Sequence, residues 1–189
     1  MQGTVMQVGC LDTNCAILTG NGKDAVVVDP GDGAKAILAY LNRQGLDCRA
    51  ILLTHGHDDH TGAVEEIRRE TGAEVWISQA DAYRLKFEAD HFVKDGDILD
   101  LAGMEFRVVS VPGHTEGSVL YLTGDLMLAG DTLFHRSIGR TDLPGGNWTE
   151  MQKSLERIKT MGDRDYQVLP GHGSTTTLQN ELRRNPFLQ

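Results

Sequence analysis

The sequence Thr54-His55-Gly56-His57-Asp58-Asp59-His60 places three histidines and two aspartates within six residues. It follows a short apolar run and precedes a stretch with helical spacing, so we expect a loop between a buried strand and a helix. Residues two apart in extended backbone face the same side, so His55 and His57 can point at one ligand. Asp59 and His60, at the turn into the helix, can face a second point. Imidazole and carboxylate together suit zinc, iron or manganese.

Three more potential ligands share one local setting, since each follows an apolar, strand-like run and lies next to glycine, which lets the backbone approach closely. They are His114 in Pro112-Gly113-His114, Asp131 in Gly130-Asp131-Thr132 and His172 in Gly171-His172-Gly173. A lone histidine beside glycine is more often a loop or core residue than a ligand. Seven ligand-type residues in a repeated setting are hard to explain in that way. We therefore expect four strand ends to bring them to one rim of the molecule.

The rest of the chain alternates apolar runs with stretches of helical spacing. The first half predicts strands at 5–8, 16–19, 25–29, 50–54 and 74–77, and helices at 32–46, 61–71 and 79–86. The second half predicts strands at 97–101, 105–111, 119–123, 126–129 and 166–169, and helices at 148–161 and 178–184. This order favours two antiparallel-rich sheets packed together and flanked by helices. At 189 residues, we expect a single domain over 1–189.

The composition restricts the class of protein. The net charge of −9 argues against binding to nucleic acid through its phosphates. The longest apolar runs are far shorter than the ~20 residues of a membrane span, and the N-terminus lacks the features of a secretory signal. Cys10, Cys15 and Cys48 form no C-x-x-C motif, so we expect reduced thiols. These observations predict a cytoplasmic protein that acts on a small molecule, with neither a nucleic acid nor a membrane as partner.

The pattern H-x-H-x-D-H, followed by His, Asp and His at strand ends, resembles the metallo-β-lactamase superfamily over nearly the whole chain. The resemblance implies an α+β fold, a four-layer αβ/βα sandwich with metals at one edge of the sheets. It also implies two divalent metal ions, with zinc expected first and iron as the alternative. The first ion would be held by His55, His57 and His114, the second by Asp59, His60 and His172, and Asp131 would bridge them. Asp58 occupies a variable position of the motif and is expected to be a solvated or supporting acid.

This assignment is physically consistent. Two cations about 3.5–4 Å apart need a negative bridge, and a water shared between them can reach a pKa near ~7. We expect Asp59 and Asp131 to hold that water. Each histidine ligand should be oriented by an acceptor at its other ring nitrogen, for which the sequence offers the candidates Asp12, Asp29, Ser110 and Thr115.

The residues from Ala129 onward narrow the reaction. Gly130-Asp131-Thr132-Leu133-Phe134, then Gly139-Arg140-Thr141-Asp142, resembles the glyoxalase II group and the persulfide dioxygenases. The first hydrolyses S-lactoylglutathione, and the second oxidises glutathione persulfide at iron. Arg140 is a candidate to bind a carboxylate of the glutathione moiety or, equally, to brace its loop. Only 17 residues follow His172 (189 − 172), so we expect a compact form without the C-terminal helical domain of glyoxalase II. Ser137-Ile138 also replaces the Gly-Cys that is common in those groups.

A glyoxalase II-like thioester hydrolase is therefore the favoured function, with an iron-dependent persulfide dioxygenase as the main alternative. A non-catalytic metal-binding module is a minor one, because loss of activity usually removes a ligand. β-Lactamases of the superfamily generally use a cysteine at the second metal, and no cysteine follows Cys48. The RNA-processing branch carries a large inserted domain and a basic surface, which this chain lacks.

Overall fold

The computed structural model describes residues 1–189 and contains two six-stranded sheets. The strands of the first sheet lie side by side in sequence order, and short loops and helical crossovers connect them. They are β1 (Gln2–Val8), β2 (Thr13–Thr19), β3 (Asp24–Val28), β4 (Asp47–Leu52), β5 (Glu74–Ser78) and β6 (His91–Val93). Strands β1 to β3 pair antiparallel, and β3 to β6 pair parallel.

The second sheet has the order β14-β13-β10-β9-β8-β7 and is antiparallel except for the parallel pair β10–β13. Its strands are β7 (Ile98–Leu101), β8 (Met104–Ser110), β9 (Val119–Thr123), β10 (Leu126–Gly130), β13 (Gln167–Pro170) and β14 (Thr176–Thr177). A separate two-stranded hairpin of β11 (Leu133–Phe134) and β12 (Ser137–Ile138) follows β10.

Helices complete the outer layers. They are α1 (Ala34–Gln44), α2 (Asp58–Thr61), α3 (Val64–Thr71), α4 (Trp148–Lys159) and α5 (Leu178–Arg184), with 3-10 helices at Gln79–Arg84 and Pro186–Leu188. Helices α1 and α3 share a buried apolar cluster with the first sheet, α4 shares one with the second sheet, and a third cluster lies between the sheets. The four-layer αβ/βα sandwich is therefore confirmed.

The alternation of side chains along a strand explains how one strand serves two cores. In β2, Ala16 and Leu18 face the other sheet, while Cys15 and Ile17 face the helices. Every residue of β2 is buried, because helices cover one face of its sheet and the second sheet covers the other.

The predicted order of strands and helices is confirmed, but three features differ. The first sheet is not antiparallel-rich, since three of its five strand pairs are parallel. Helical crossovers after β3, β4 and β5 return the chain to the same end of the sheet, which requires parallel pairing. The predicted helix at 61–71 is interrupted at Gly62, which packs against the carbonyl of Gly31. The short strands β6, β11, β12 and β14 were not expected, because two or three residues carry no readable periodicity.

None of the helices is both long enough and apolar enough to cross a membrane. All three cysteines are free, with Cys10 exposed and the other two buried. Burial raises the pKa of the Cys48 thiol to about 12, and burial also raises that of Cys15. The two buried cysteines therefore act as small apolar residues.

Tyr121 offers a test of the contact between the two sheets. Its ring is fully buried between them, and its hydroxyl donates to the carbonyl of Leu53, two residues before the first histidine, at 3.1 Å. Tyr121→Phe leaves that buried carbonyl unpaired, so we expect the free energy of unfolding to fall by about 1–3 kcal/mol. Tyr40→Phe is the control, because the Tyr40 hydroxyl has no hydrogen-bond partner. Urea unfolding of both variants measures the difference, and equal stabilities would contradict the role of this hydrogen bond.

Candidate metal centre

The seven predicted ligands come together at one edge of the sandwich. The segment after β4 carries four of them, two in the loop and two in α2, and the loops after β8, β10 and β13 carry one each. Donor atoms lie within 4.8 Å of one another in three groups, which are His55–His57–His114, His55–His60–Asp131 and Asp59–His60–His172. We call His55, His57 and His114 the first half-site, and Asp59, His60 and His172 the second half-site.

The first half-site is a triangle of imidazole nitrogens. His57 Nδ1 lies 3.1 Å from His55 Nε2 and 3.0 Å from His114 Nε2. Ligands of a tetrahedral zinc ion with Zn–N bonds of about 2.0–2.1 Å are separated by ~3.3 Å. The spacing of the three nitrogens therefore fits one face of a tetrahedral site.

The second half-site combines a carboxylate with two imidazoles. Asp59 Oδ2 lies 3.1 Å from His172 Nε2 and 3.6 Å from His60 Nε2. Asp131 lies between the half-sites, with Oδ1 3.4 Å from His60 Nε2 and Oδ2 3.5 Å from His114 Nε2. Oδ2 also lies 3.6 Å from His172 Nε2, so the carboxylate of Asp131 faces both half-sites, as a bridging ligand must.

Main-chain carbonyls orient two of the histidines. His114 Nδ1 lies 2.8 Å from the carbonyl of Arg140, and His172 Nδ1 lies 2.9 Å from the carbonyl of Leu11. A carbonyl can only accept, so Nδ1 carries a hydrogen in both rings and Nε2 is the nitrogen that faces the site. The identity of the acceptor therefore assigns the tautomer that a metal ligand needs.

A single buried carboxylate, that of Asp29, orients two more of the histidines. Asp29 Oδ2 lies 3.1 Å from His60 Nδ1, at ion-pair distance but without the alignment of a full hydrogen bond. The same oxygen accepts the Thr54 hydroxyl at 2.7 Å. Because that hydroxyl hydrogen is used, Thr54 Oγ1 accepts from His55 Nδ1 at 3.1 Å. Both rings then direct Nε2 into the site.

The donor set fits cations on evidence that is independent of the motif. Asp131 Oδ1 is buried and has no hydrogen-bond partner. The ring nitrogens of His55 and His60 face the same volume as this oxygen. Buried polar atoms are rarely left without a partner, and a positive ion satisfies all of them at once. His55, His57, Asp59, His60, His114, Asp131 and His172 are thus the residues that could hold two divalent ions.

The two half-sites differ in charge. Burial, followed by the neighbouring imidazoles, lowers the pKa of His55 well below its usual value, and burial and His114 lower that of His57. Burial alone would lower the pKa of His60, but the carboxylates of Asp29 and Asp131 outweigh it and raise the pKa to about 10. Without metal, His55 and His57 of the first half-site are therefore neutral at pH 7, and His60 of the second holds a proton.

The acid of the second half-site is ionised. Burial would raise the pKa of Asp59, but its hydrogen bond with His172 and the charge of His60 lower it to about 2. The hydrogen bond with Asp59 in turn raises the pKa of His172.

Only one of the four candidate orienting residues contacts a ligand histidine. Asp29 does so, but the side chains of Asp12 and Ser110 make no hydrogen bond to one, and the Thr115 hydroxyl bonds to Asp81 and Ser118 instead. The carbonyls of Leu11 and Arg140 were missed because every residue has a carbonyl, so no sequence signal marks them. Thr54 was missed as well, although a hydroxyl next to the first histidine is a readable signal.

The remaining candidates lie at the surface. The Arg140 guanidinium is exposed and binds Asp142 through two contacts of 2.7 and 2.8 Å, so its link to the centre runs through its backbone carbonyl. Asp58 is exposed and pairs with Lys86 at 3.1 Å, as expected of a solvated acid.

The proton on His60 predicts that metal uptake is coupled to proton release. A ligand nitrogen must be deprotonated, so binding of the second cation at pH 7 should release about one proton per chain, and affinity should rise with pH. Calorimetric titration with Zn²⁺ in buffers of different ionisation enthalpy counts the protons. His114→Ala, which leaves the second half-site intact, is expected to release the same number. Uptake of two ions without proton release would contradict the prediction.

Comparison with known proteins agrees with the site. The family model described as "Metallo-beta-lactamase superfamily" matches residues 8–172. Hydroxyacylglutathione hydrolase GloC of Haemophilus influenzae is 33% identical over 204 residues, which cover 97% of this chain and 96% of that protein.

Solved structures give the same result. BLEG-1 B3 metallo-beta-lactamase has a TM-score of 0.93 at 34% identity and covers 99% of both chains. TTHA1623 in a di-iron-bound form has a TM-score of 0.85 at 34% identity, over 98% of this chain and 100% of that one. ETHE1 from Myxococcus xanthus has a TM-score of 0.86 at 30% identity, over 98% of this chain and 84% of that one. The family match and these similarities show that the chain belongs to the metallo-β-lactamase superfamily.

Proposed function

We propose that this protein is a two-metal hydrolase of thioesters, with glutathione thioesters of the S-lactoylglutathione type as its substrates. The observation that carries the proposal is the position of Asp131, which lies between two half-sites of three donors each. A carboxylate that faces both half-sites can neutralise two cations at once, which is the role of a bridging ligand. The likeness to a hydroxyacylglutathione hydrolase over nearly the full length of both chains supports the substrate class.

The metal ions in this proposal are zinc or iron. Imidazole and carboxylate donors accept both, and the di-iron-bound form of the similar TTHA1623 supports iron as a native alternative. When bound, two such cations would lower the pKa of a water to about 7 and polarise the carbonyl of the substrate.

The chain's own residues orient the reactants. Asp59 is ionised and Asp131 lies between the half-sites, so both can accept hydrogen bonds from the attacking water and direct its lone pair outward. Burial lowers the pKa of His55 and His57, so these two imidazoles are poor acceptors for the water's proton. The leaving group is a thiol with a pKa of roughly 8.5, so it departs as a thiolate without a strong general acid.

One specific observation favours a second candidate, the hydrolysis of β-lactams. BLEG-1, named a B3 metallo-beta-lactamase, matches over 99% of both chains. An amide nitrogen is a much poorer leaving group than a thiolate, and this difference is the chemical reason for placing the thioester first.

Three assays on one metal-analysed preparation test the proposal. They follow hydrolysis of S-lactoylglutathione, hydrolysis of nitrocefin, and oxygen uptake with glutathione persulfide. We expect thioester turnover with two metals per chain, no oxygen uptake, and a kcat/KM for nitrocefin at least 100-fold lower. Oxygen uptake with one iron per chain would replace the proposal with a persulfide dioxygenase, and no turnover of any substrate would favour a metal-binding module.

Asp131→Ala tests the bridging carboxylate. Without it the two cations lose their shared negative ligand, so we expect metal content to fall from two ions to one or none and kcat/KM to fall at least ~100-fold. Asp58→Ala is the matched control, because this acid belongs to the same motif region but is exposed and pairs only with Lys86. Metal analysis and steady-state kinetics decide the outcome. Near-normal turnover in Asp131→Ala would refute the bridging role.

Arg140 is proposed as a substrate-binding residue. Its guanidinium is exposed, and its backbone carbonyl accepts a hydrogen bond from His114 of the first half-site. The side chain therefore starts from a backbone position next to the metal centre. Arg140→Ala should raise KM for S-lactoylglutathione about 5–10-fold with little change in kcat, because an exposed charge-assisted contact contributes about 1 kcal/mol. Arg164→Ala removes a similar exposed pair with Asp125 away from the site and serves as the control. Equal KM values in both variants would assign Arg140 a structural role.

A further inference from the structure

A buried carboxylate outside the ligand set joins two of the ligand loops. Asp81 lies in the 3-10 helix Gln79–Arg84, and its side chain is fully buried. Its Oδ2 accepts the backbone N–H of Gly56 at 2.8 Å and the hydroxyl of Thr115 at 2.7 Å. Its Oδ1 accepts the backbone N–H of Gly117 at 2.9 Å.

These three donors come from the two loops that form the first half-site. Gly56 separates two of its histidines, and Thr115 directly follows the third. The loops belong to different sheets, since one follows β4 and the other precedes β9. One carboxylate therefore connects, across the sandwich, the two segments whose separation sets the triangle of imidazole nitrogens.

Both loops pack closely against Asp81. A methyl group added at Gly56 would lie 2.9 Å from the carbonyl oxygen of Asp81, and one added at Gly117 would lie 2.7 Å from its Cβ. Arg84 balances the buried charge, with Nε 3.4 Å from Asp81 Oδ1 and a terminal nitrogen 2.9 Å from Glu116. Hydrogen bonds, packing and charge thus hold both loops against one turn.

The second half-site has no contact with Asp81. The carbonyl of Leu11 orients His172, and Asp29 orients His60 and also, through Thr54, His55 of the first half-site. Asp29 therefore supports both half-sites, whereas Asp81 supports the first alone.

We propose that Asp81 is a positioning residue that sets the geometry of the first half-site and so controls metal affinity there, without affecting the second half-site. The inference rests on the proposed two-metal centre, but not on the choice of thioester as substrate. Oriented supports of metal ligands typically contribute 10–100-fold to metal affinity.

Asp81→Asn tests the proposal with little change in volume. One carboxylate oxygen becomes an amide NH₂ that faces backbone or hydroxyl donors, so at least one of the three hydrogen bonds is lost. We expect titration with Co²⁺ to show one ion bound with wild-type affinity and a second bound 10–100-fold more weakly. The visible absorption spectrum at one equivalent should match that of His114→Ala, in which only the second half-site is complete.

Asp90→Asn is the matched control. Asp90 also accepts a backbone N–H, that of Val75 at 2.8 Å, and also pairs with an arginine, Arg68, but it contacts neither ligand loop. This variant should bind two Co²⁺ ions as the wild type does. Thermal unfolding of both variants separates a loss of stability from a loss of metal affinity.

Two results would overturn the proposal, namely wild-type affinity for both ions in Asp81→Asn or equal weakening of both ions. If Asp81→Asn does not fold, Thr115→Val decides by the same criteria, because it removes one hydrogen bond and should weaken only the first ion, by a smaller factor. Co²⁺ binding is measured without substrate, so the result is independent of whether the protein turns over S-lactoylglutathione.

Discussion

Five imidazoles and two carboxylates are crowded into one small volume, and such crowding is stable only if every lone pair meets a positive partner. The fold prepares the site for a cation, because an acceptor binds the remote nitrogen of four of the rings and the near nitrogen then faces the site. Asp29 is central to this arrangement, because its carboxylate contacts Thr54 and His60 together. Its own backbone is in the left-handed region, with φ at 49°, a conformation that the surrounding structure must stabilise.

The centre exists only because two sheets are packed against each other. The first sheet presents its four ligands after β4, and the second sheet presents the other three after β8, β10 and β13. Asn14 in β2 binds the two sheets near the centre, with its amide donating to the carbonyls of Pro170 and Gly173 at 3.0 and 2.9 Å. The distance between the half-sites is therefore a property of the core between the sheets, and a well-packed core resists change in that distance.

The two half-sites are also electrostatically unequal. In the first, burial disfavours a proton on His55 and His57, and in the second, the carboxylates of Asp29 and Asp131 favour one on His60. A cation that binds the second half-site must therefore replace that proton. The carboxylates of Asp29 and Asp131, which stabilise the proton on His60 in the free protein, also attract a divalent ion. The exchange of that proton for a metal ion connects the electrostatics of the fold to the proposed hydrolysis.

The sequence by itself determined the seven candidate ligands, the order of strands and helices and the family, because ligand chemistry belongs to side-chain type and burial leaves a period of 2 or 3.6 in the sequence. His114, Asp131 and His172 were recognisable from their strand ends and adjacent glycines, although they lie far from His55 along the chain. Only the tertiary structure decided the parallel half of the first sheet and the supports of the ligands, including Asp81 and the carbonyls of Leu11 and Arg140. Strand pairing depends on where crossovers return the chain, and a carbonyl, which every residue has, gains a role only from its position in space.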